Sequence, residues 1–336
     1  RGTEGTPRLS SCRLQPRRRA AGDRTPHRRD RRVQALPRDH WPRRSSRAER
    51  ARRPPAARWM KLYISADMEG TAAVCSWTQV DPSNTTEYPY YRRLMSQEVR
   101  AAIDGAREAG VGDVLINDSH SSMRNVLWDE LPDDVRLIYG NRKPFSMAEG
   151  IDDSFDLAFF TGYHGAVGTQ DATLDHTYTS ETLRETRING RVCSEAMVNA
   201  GVLGLAGVPV VLITGDRACI EQTKAAMPWI TGVVVKDSIG RFATNSVSPA
   251  RARDLIRAAA KEAVGRAKDA RPYVFEPPIA LDLDFVYTHN ADYAELIPGF
   301  ERTGPRSTRF VHDDYRVIFK AYVAAYRLGA AANAHV

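Results

Sequence analysis

The amino-acid sequence predicts an α/β fold, with a central, largely parallel sheet flanked by helices and a smaller α+β part at the C-terminus. Apolar runs of strand length alternate with segments that have the spacing of helices. This alternation is typical of parallel sheets, because a helix usually forms the crossover between two parallel strands. Several apolar runs end in an acidic residue or a histidine, which is where α/β sheets place their ligand sites. The chain has 336 residues, enough to bury a sizeable core.

The first predicted strands lie at residues 60–66, 113–117, 135–139 and 155–161. Residues 91–109 have helical spacing, and Gly110 suits the left-handed cap that ends many helices. Further strands are predicted at 177–180, 185–188, 208–214 and 232–236, with Asn189-Gly190 as a hairpin turn. Helices are predicted at 194–206, 216–226 and 248–267, and Asp216 is the favoured N-cap of the second.

The C-terminal part shows a mixed pattern from about residue 280 onward. A strand at 280–285, a helix at 292–297, a strand at 308–311 and a helix at 314–328 are predicted there. We therefore expect an α/β domain at 60–240 and a smaller α+β region at 241–336.

Residues 1–59 differ sharply in composition from the rest of the chain. They contain 19 arginines and no Phe, Tyr, Met, Ile, Asn or Lys. Their apolar content is too low for folding, so we predict disorder. The bias toward residues with GC-rich codons suggests upstream sequence read through in frame, with Met60 as the natural start and the segment not part of the native protein. A nucleic-acid-binding arm or a transit peptide are the alternatives.

Charge and motifs exclude several classes of function for the folded part. The formal net charge of the whole chain is +7, and that of the Arg-rich segment is +14. The remaining 277 residues therefore have a net charge of −7, and we do not expect them to bind nucleic acid. No run of 18 apolar residues exists, so no membrane span is expected. Four cysteines lie far apart, which suits a reducing cytoplasm. The sequence contains no GxGxxG, P-loop, GxSxG or HExxH motif.

Acidic residues and histidines follow three of the predicted strands. Asp67 and Glu69 come directly after the first strand, His120 follows the second, and His164 follows the strand at 155–161. An unpaired buried carboxylate is costly, so acids fit the end of a buried strand better than its interior. Carboxylates with neutral imidazoles are the ligand set that zinc favours. Taken singly, Asp67 and Glu69 could form a helix cap or turn, and His120 could lie in an ordinary polar loop. The recurrence at three strand ends predicts a metal site at the carboxyl edge of the sheet.

Other polar residues near these strand ends are less informative. Asp118 or Ser119 could orient His120 by bonding its second ring nitrogen. His176 lies between a glycine-containing loop and a predicted strand, and its position indicates nothing by itself. Glu195 falls in the first turn of a helix, where acids are common because of the helix dipole.

Five motifs stand in a fixed order from Met60 onward. They are MKLYISADMEG at 60–70, NDSH at 117–120, KPFSM at 143–147, GYH at 162–164, and Glu195 followed by Asn199-Ala200. In this order they resemble the zinc-dependent D-aminopeptidase family, the binuclear metallopeptidases of the DppA type. The resemblance extends over nearly the whole folded chain. Members of that family begin at the residue matching Met60, in line with the prediction for residues 1–59.

The resemblance implies a ligand set for two zinc ions per chain and a catalytic residue. The implied ligands are Asp67 as the bridge, Glu69 and His164 at one ion, and His120 and Glu195 at the other. His176 would match the catalytic histidine of the family and act as a general acid/base or stabilise the oxyanion. Residues 60–240 would then be the metal-binding catalytic domain.

The resemblance also implies a reaction and an assembly. The expected function is hydrolysis of short peptides with an N-terminal D-amino acid, such as D-Ala-D-Ala, by water whose pKa the metals lower to about 7. A ring-like homo-oligomer such as a decamer in the cytoplasm is implied as well. Two alternatives stay open. One is a metal-dependent hydrolase of another amide or of a phosphoester, and the other is a non-catalytic binding protein on the same fold.

Overall fold

The structure, a computed structural model, describes residues 59–333. Its strands are β1 (Met60–Ala66), β2 (Val111–Asp118), β3 (Arg136–Ile138), β4 (Leu157–Tyr163), β5 (Leu183–Ile188), β6 (Arg191–Val192), β7 (Val210–Asp216), β8 (Thr231–Gly240), β9 (Ala243–Ser246), β10 (Ile279–Phe285), β11 (Phe300–Gly304) and β12 (Ser307–His312). Its helices are α1 (Trp77–Val80), α2 (Tyr88–Glu108), α3 (Glu195–Leu205), α4 (Arg217–Ala226), α5 (Pro249–Gly265), α6 (Thr288–Ala294) and α7 (Tyr315–Asn333). The predictions for the Arg-rich segment fall, except at Trp59, outside the described residues.

A seven-stranded sheet in the order β3-β2-β1-β4-β7-β8-β9 forms the centre of the molecule. All neighbouring strands in it are parallel except β9, which pairs antiparallel with β8. Tyr63 of β1 packs into one apolar core, and Leu62 and Ile64 pack into the other. Because both faces are covered, the strands are continuous apolar runs without alternation. The predicted α/β fold with a largely parallel central sheet is confirmed.

Helices α2 and α5 pack together over one face of this sheet. The helix predicted at residues 91–109 is α2, and its apolar side is buried, including Leu94, Val99, Ile103 and Ala106. Gly105 allows the close crossing of the two helices, since a Cβ there would lie 2.0 Å from the Arg257 carbonyl oxygen. Helix α4 begins at Asp216, whose carboxylate accepts the Cys219 N–H at 2.8 Å, so the predicted N-cap is confirmed.

A second, antiparallel sheet has the order β11-β12-β10-β5-β6. Strand β10 alternates between buried and partly exposed residues, as expected when one face meets a core. Asn189 and Gly190 connect β5 to β6 with φ of 51° and 76°, the left-handed pair that a two-residue hairpin turn requires. Helices α6 and α7 pack together and against this sheet.

Some predicted elements differ from the structure. Residues 177–180 do not form a strand, because Tyr178 has φ of 65°, in the left-handed region that a strand does not use. The helix expected at 292–297 is α6, several residues earlier. Strands β9 and β11 were not predicted. Both lie at sheet edges and carry polar side chains, so they lack an apolar signal.

The division at residue 240 stays a prediction, and sheet pairing crosses that position in both directions. Strands β5 and β6, from before residue 240, belong to the second sheet, whereas β9 and α5, from after it, pack with the first. Cys75, Cys193 and Cys219 are free thiols. Between residues 59 and 333, the helices are too short or too polar to cross a bilayer.

Candidate metal centre

The carboxyl ends of β1, β2 and β4 lie side by side in the middle of the first sheet. Asp67 and Glu69 follow β1, His120 follows β2 and His164 follows β4, and all four side chains are buried. His120 Nδ1 lies 2.9 Å from Glu69 Oε2 and 3.4 Å from Asp67 Oδ1. His164 Nε2 lies 3.6 Å from Asp67 Oδ2. The structure therefore brings together the residues that the strand-end pattern singled out.

Two glycines hold the chain after β1 tightly against the end of β4. The Gly70 N–H donates to the Gly162 carbonyl oxygen at 2.7 Å, and the Asp67 N–H donates to the Thr161 carbonyl oxygen at 2.8 Å. A Cβ on Gly70 would lie 1.8 Å from the Tyr163 carbonyl oxygen, and one on Gly162 would lie 2.1 Å from that of Asp67. Side chains at these positions would push Asp67 away from β4.

His176 and Glu195 complete the cluster, although their positions in the sequence gave no local signal. His176 Nε2 lies 3.6 Å from Glu195 Oε1 and 3.9 Å from Glu69 Oε1. His164 Nε2 lies 3.7 Å from Glu195 Oε1, and the His164 and His176 rings stack at 4.2 Å between centroids. Only the family resemblance pointed to His176 and Glu195.

The segment that carries His176 contains two residues in the left-handed region. Leu174 has φ of 51° and Tyr178 has φ of 65°. Such conformations cost about 1–3 kcal/mol each in non-glycine residues and concentrate at functional sites. Here they serve the cluster, because the Leu174 carbonyl accepts from His176 Nδ1 at 2.9 Å and the Tyr178 N–H donates to Glu195 Oε1 at 2.6 Å.

Each histidine of the cluster donates one ring N–H to a backbone carbonyl. His120 Nε2 donates to Val80 at 2.7 Å, His164 Nδ1 donates to Gly165 at 3.0 Å, and His176 Nδ1 donates to Leu174. The other ring nitrogen of each histidine therefore faces the carboxylates. At His164 and His176 it faces them with a lone pair, since burial lowers the pKa of both rings. Burial opposes the charge of His120 as well, but Glu69 and Asp67 raise its pKa well above the usual value, so Nδ1 carries a proton that a metal ion would replace. Fixing the ring in this way is typical of metal-binding histidines.

The prediction that Asp118 or Ser119 orients His120 is wrong. Asp118 accepts the N–H groups of Asn125 and Val126 at 2.6 and 2.7 Å, and it also accepts from Asn125 Nδ2. The Ser119 hydroxyl bonds instead to main-chain and hydroxyl oxygens away from the ring. The carbonyl that orients His120 is a backbone atom at the end of α1, which no side-chain pattern can indicate.

The electrostatics of the cluster favour the binding of a cation. Burial raises the pKa of Asp67 to about 8, and the neighbouring Glu69 adds to this shift. Burial, with the Asp67 charge, also raises the pKa of Glu195 well above its usual value. Burial acts in the same sense on Glu69, but the charge and hydrogen bond of His120 hold its pKa well below the usual range. Burial lowers the pKa of His164 to about 3, which keeps that imidazole neutral.

Two buried atoms at the centre of the cluster support a metal site directly. Asp67 Oδ2 and His164 Nε2 have no hydrogen-bond partner in the described chain, whereas buried polar side chains nearly always have one. Two triplets have ligand atoms within 4.8 Å of one another, Asp67 with Glu69 and His164, and His164 with His176 and Glu195. Carboxylate oxygens and neutral imidazoles at these spacings fit zinc.

Five residues of the cluster line a cavity of about 570 Å³, namely Asp67, Glu69, His120, His176 and Glu195. Trp77 and Val80 form one part of its wall, and Tyr178, Tyr326 and Arg327 form another. Trp77 packs edge-on against His176 with ring centroids 5.5 Å apart. A cavity of this volume admits a ligand of the size of a short peptide.

The parallel sheet and the carboxylate–imidazole cluster beneath a cavity together define a hydrolase of the metallopeptidase class. The family model for peptidase family M55, described as D-aminopeptidase, matches residues 60–324. A D-aminopeptidase of Bacillus subtilis (strain 168) is 34% identical over 270 residues, which cover 80% of this chain and 97% of that protein. The chain therefore belongs to the D-aminopeptidase family and is an enzyme.

A solved structure agrees with this assignment. It is the Zn-dependent D-aminopeptidase DppA from Bacillus subtilis, described as a self-compartmentalizing protease. The two folds superpose with a TM-score of 0.78 at 33% identity, covering 81% of this chain and 98% of DppA. The likeness therefore includes both sheets and is not confined to the residues around the cluster.

Proposed function

We propose that this chain is a binuclear zinc aminopeptidase that removes an N-terminal D-amino acid from short peptides such as D-Ala-D-Ala. The observation that carries this proposal is the buried cluster of three acids and three histidines beside the cavity. Asp67 Oδ2 and His164 Nε2 at its centre have no hydrogen-bond partner in the described chain. Membership of the D-aminopeptidase family and the description of DppA as Zn-dependent support it.

Five residues are the proposed ligands of two zinc ions per chain, namely Asp67, Glu69, His120, His164 and Glu195. Asp67 is the proposed bridge, because its Oδ1 faces His120 Nδ1 at 3.4 Å and its Oδ2 faces His164 Nε2 at 3.6 Å. When bound, zinc polarises the scissile carbonyl and lowers the pKa of water in the site to about 7. The pairing of His120 with Glu195 around one ion remains a prediction. The residues whose ligand atoms form a close triplet with Glu195 are His164 and His176.

His176 is the proposed catalytic histidine. Its Nδ1–H is held by the Leu174 carbonyl, and its Nε2 faces the cluster, 3.6 Å from Glu195. Burial lowers its pKa, so the ring is neutral and can accept a proton at Nε2. We assign it the uptake of a proton from the attacking water and its delivery to the leaving amine nitrogen.

We also propose that the enzyme works as a cytoplasmic homo-oligomer, such as a decamer. The support is the description of DppA as a self-compartmentalizing protease. Light scattering on the purified chain would measure the mass directly. A monomer with full activity would contradict the proposed assembly.

The central experiment measures bound metal and hydrolysis on the same sample. Metal content per chain is determined, and cleavage of D-Ala-D-Ala and L-Ala-L-Ala is assayed before chelation, after it and after zinc is restored. We expect about two zinc ions per chain and D-selective cleavage that chelation abolishes and zinc restores. The control His176→Gln should keep its zinc and lose activity.

Two outcomes would change the assignment. Bound metal without D-selectivity would favour a hydrolase of another amide or of a phosphoester, which a substrate panel would identify. A folded sample that binds no metal would contradict the proposed catalytic centre.

A further inference from the structure

The charges that line the cavity are distributed unevenly. Its lining contains the acids of the metal centre, and Asp81 and Glu181 add two more carboxylates. Within the described part of the chain, Arg327 is the one lysine or arginine in the lining. The proposed zinc ions would offset the acids of the metal centre, but Asp81 and Glu181 would still repel the C-terminal carboxylate of a peptide substrate unless Arg327 offsets them.

Arg327 is half-buried, and among residues 59–333 only its Nε–H has a hydrogen-bond partner. Its Nε–H donates to the Tyr326 hydroxyl at 3.3 Å, and the group lies 5.8 Å from the centroid of that ring. It forms no ion pair with any residue between 59 and 333, including Glu181 of the same cavity. Arg316 on the same helix shows the contrast, since Asp314 binds it through both carboxylate oxygens.

A short chain of contacts fixes Arg327 relative to the metal centre. The Tyr326 ring is buried and packs against Tyr178 with centroids 5.4 Å apart. The N–H of Tyr178 donates to Glu195 Oε1 at 2.6 Å. Helix α7 therefore connects the guanidinium to Glu195 through the contacts of Tyr326 and Tyr178, and all four residues line the cavity.

We propose that Arg327 binds the C-terminal carboxylate of the short peptide substrate and so selects substrates with a free carboxylate close to the scissile bond. This inference rests on the proposed function, and it names the residue that recognises the far end of the substrate. The planar guanidinium suits the role, because its parallel N–H groups bind both oxygens of a carboxylate. A longer peptide would place its carboxylate beyond this position.

The test compares two substrates with the same scissile bond, D-Ala-D-Ala and D-Ala-D-alaninamide, on the zinc-loaded full chain. In Arg327→Gln, kcat/KM for the free acid should fall about tenfold or more, mainly through KM, as for loss of a hydrogen bond to a charged group. For the amide it should change by less than about twofold, because that substrate has no carboxylate to bind. Arg327→Lys should lie between, since lysine keeps the charge without the fork. Arg316→Gln is the matched control and should alter neither substrate.

A second measurement separates this inference from the proposed function. The two peptides are titrated calorimetrically into zinc-loaded His176→Gln, where turnover does not interfere and the zinc ions still offset the acids of the metal centre. This protein should bind the free acid more tightly than the amide, and adding Arg327→Gln should remove that preference. Equal losses on both substrates, an unchanged preference after Arg327→Gln, or no preference before it would each overturn the assignment. Absence of hydrolysis together with a carboxylate preference lost in Arg327→Gln would instead contradict the proposed reaction alone.

Discussion

Two groups of buried acids follow strands of the first sheet, and they serve different purposes. Asp118 accepts three hydrogen bonds from the loop at 125–126, and Asp216 accepts the N–H groups of Cys219 and Thr173. Asp67 is equally buried, but its Oδ2 has no donor within the described chain and faces His164. The position of an acid at a strand end therefore does not decide its role. What decides it is whether the fold supplies donors for its oxygens.

The difference extends to what each acid should do for stability. A carboxylate that accepts several hydrogen bonds from its own chain stabilises the folded state, and losing it leaves buried donors unpaired. A carboxylate packed against other acids destabilises the metal-free protein, because burial and repulsion both oppose its charge. Neutralising Asp67 should therefore not lower the stability of the metal-free protein, whereas removing Asp118 or Asp216 should lower it.

Asp67→Asn should give the largest effect on activity. We expect bound zinc to fall below the wild-type level and kcat/KM for D-Ala-D-Ala to fall by roughly a thousandfold, since the proposed bridge loses its charge. The stability of the metal-free protein should not decrease, because the buried charge at this position is unfavourable. Metal analysis, kinetics and urea unfolding in chelator measure the three quantities. A variant that binds as much zinc as the wild type would contradict the proposed role of Asp67 as the bridging ligand.

Asp118→Ala should give the opposite result. The amide groups of Asn125 and Val126 would lose their acceptor, so the free energy of unfolding in chelator should fall by about 3 kcal/mol or more. Asp216→Ala should cost less, about 2 kcal/mol, since it leaves two N–H groups without their acceptor and Asp118→Ala leaves three. Both variants should retain zinc under conditions where they are folded. Unchanged stability with lost zinc would show that Asp118 belongs to the metal centre.

The same comparison explains how much the sequence could predict. The strand-end pattern identified Asp67, Glu69, His120 and His164, because hydrophobic runs define where parallel strands end and those ends share one edge. It could not distinguish Asp67 from Asp118, since the donors that satisfy Asp118 come from a loop whose path the pattern does not determine. It also could not place His176 or Glu195. These reach the cluster through left-handed residues at Leu174 and Tyr178 and through a helix that begins far along the chain.

Glu98 shares one property with each of the two groups of acids. This buried residue of α2 accepts the Ala72 N–H at 2.9 Å through Oε1, whereas its Oε2 has no partner in the part of the chain that the structure describes. Ala72 belongs to the segment after Glu69 that the ammonium of Lys236 holds through the carbonyls of Glu69, Thr71 and Val74. Burial raises the pKa of Glu98 to about 7, although the Ala72 hydrogen bond and Lys236 oppose the shift.

Glu98→Gln should therefore change how stability depends on pH, with little effect below about pH 4.5. With a folded pKa of about 7 and an ordinary unfolded value near 4.5, folded Glu98 keeps a proton that the unfolded chain releases between these limits. The wild type should thus lose on the order of 3 kcal/mol of stability through this group as pH rises from about 4.5 to above 7. Glutamine keeps the acceptor for Ala72 and does not titrate, so the variant should gain stability relative to the wild type across that window. Urea unfolding of both proteins in chelator at pH 5 and 8 measures the change. A difference that stays constant with pH would mean that Lys236 keeps Glu98 ionised in the folded state, which would place it with the fully satisfied acids.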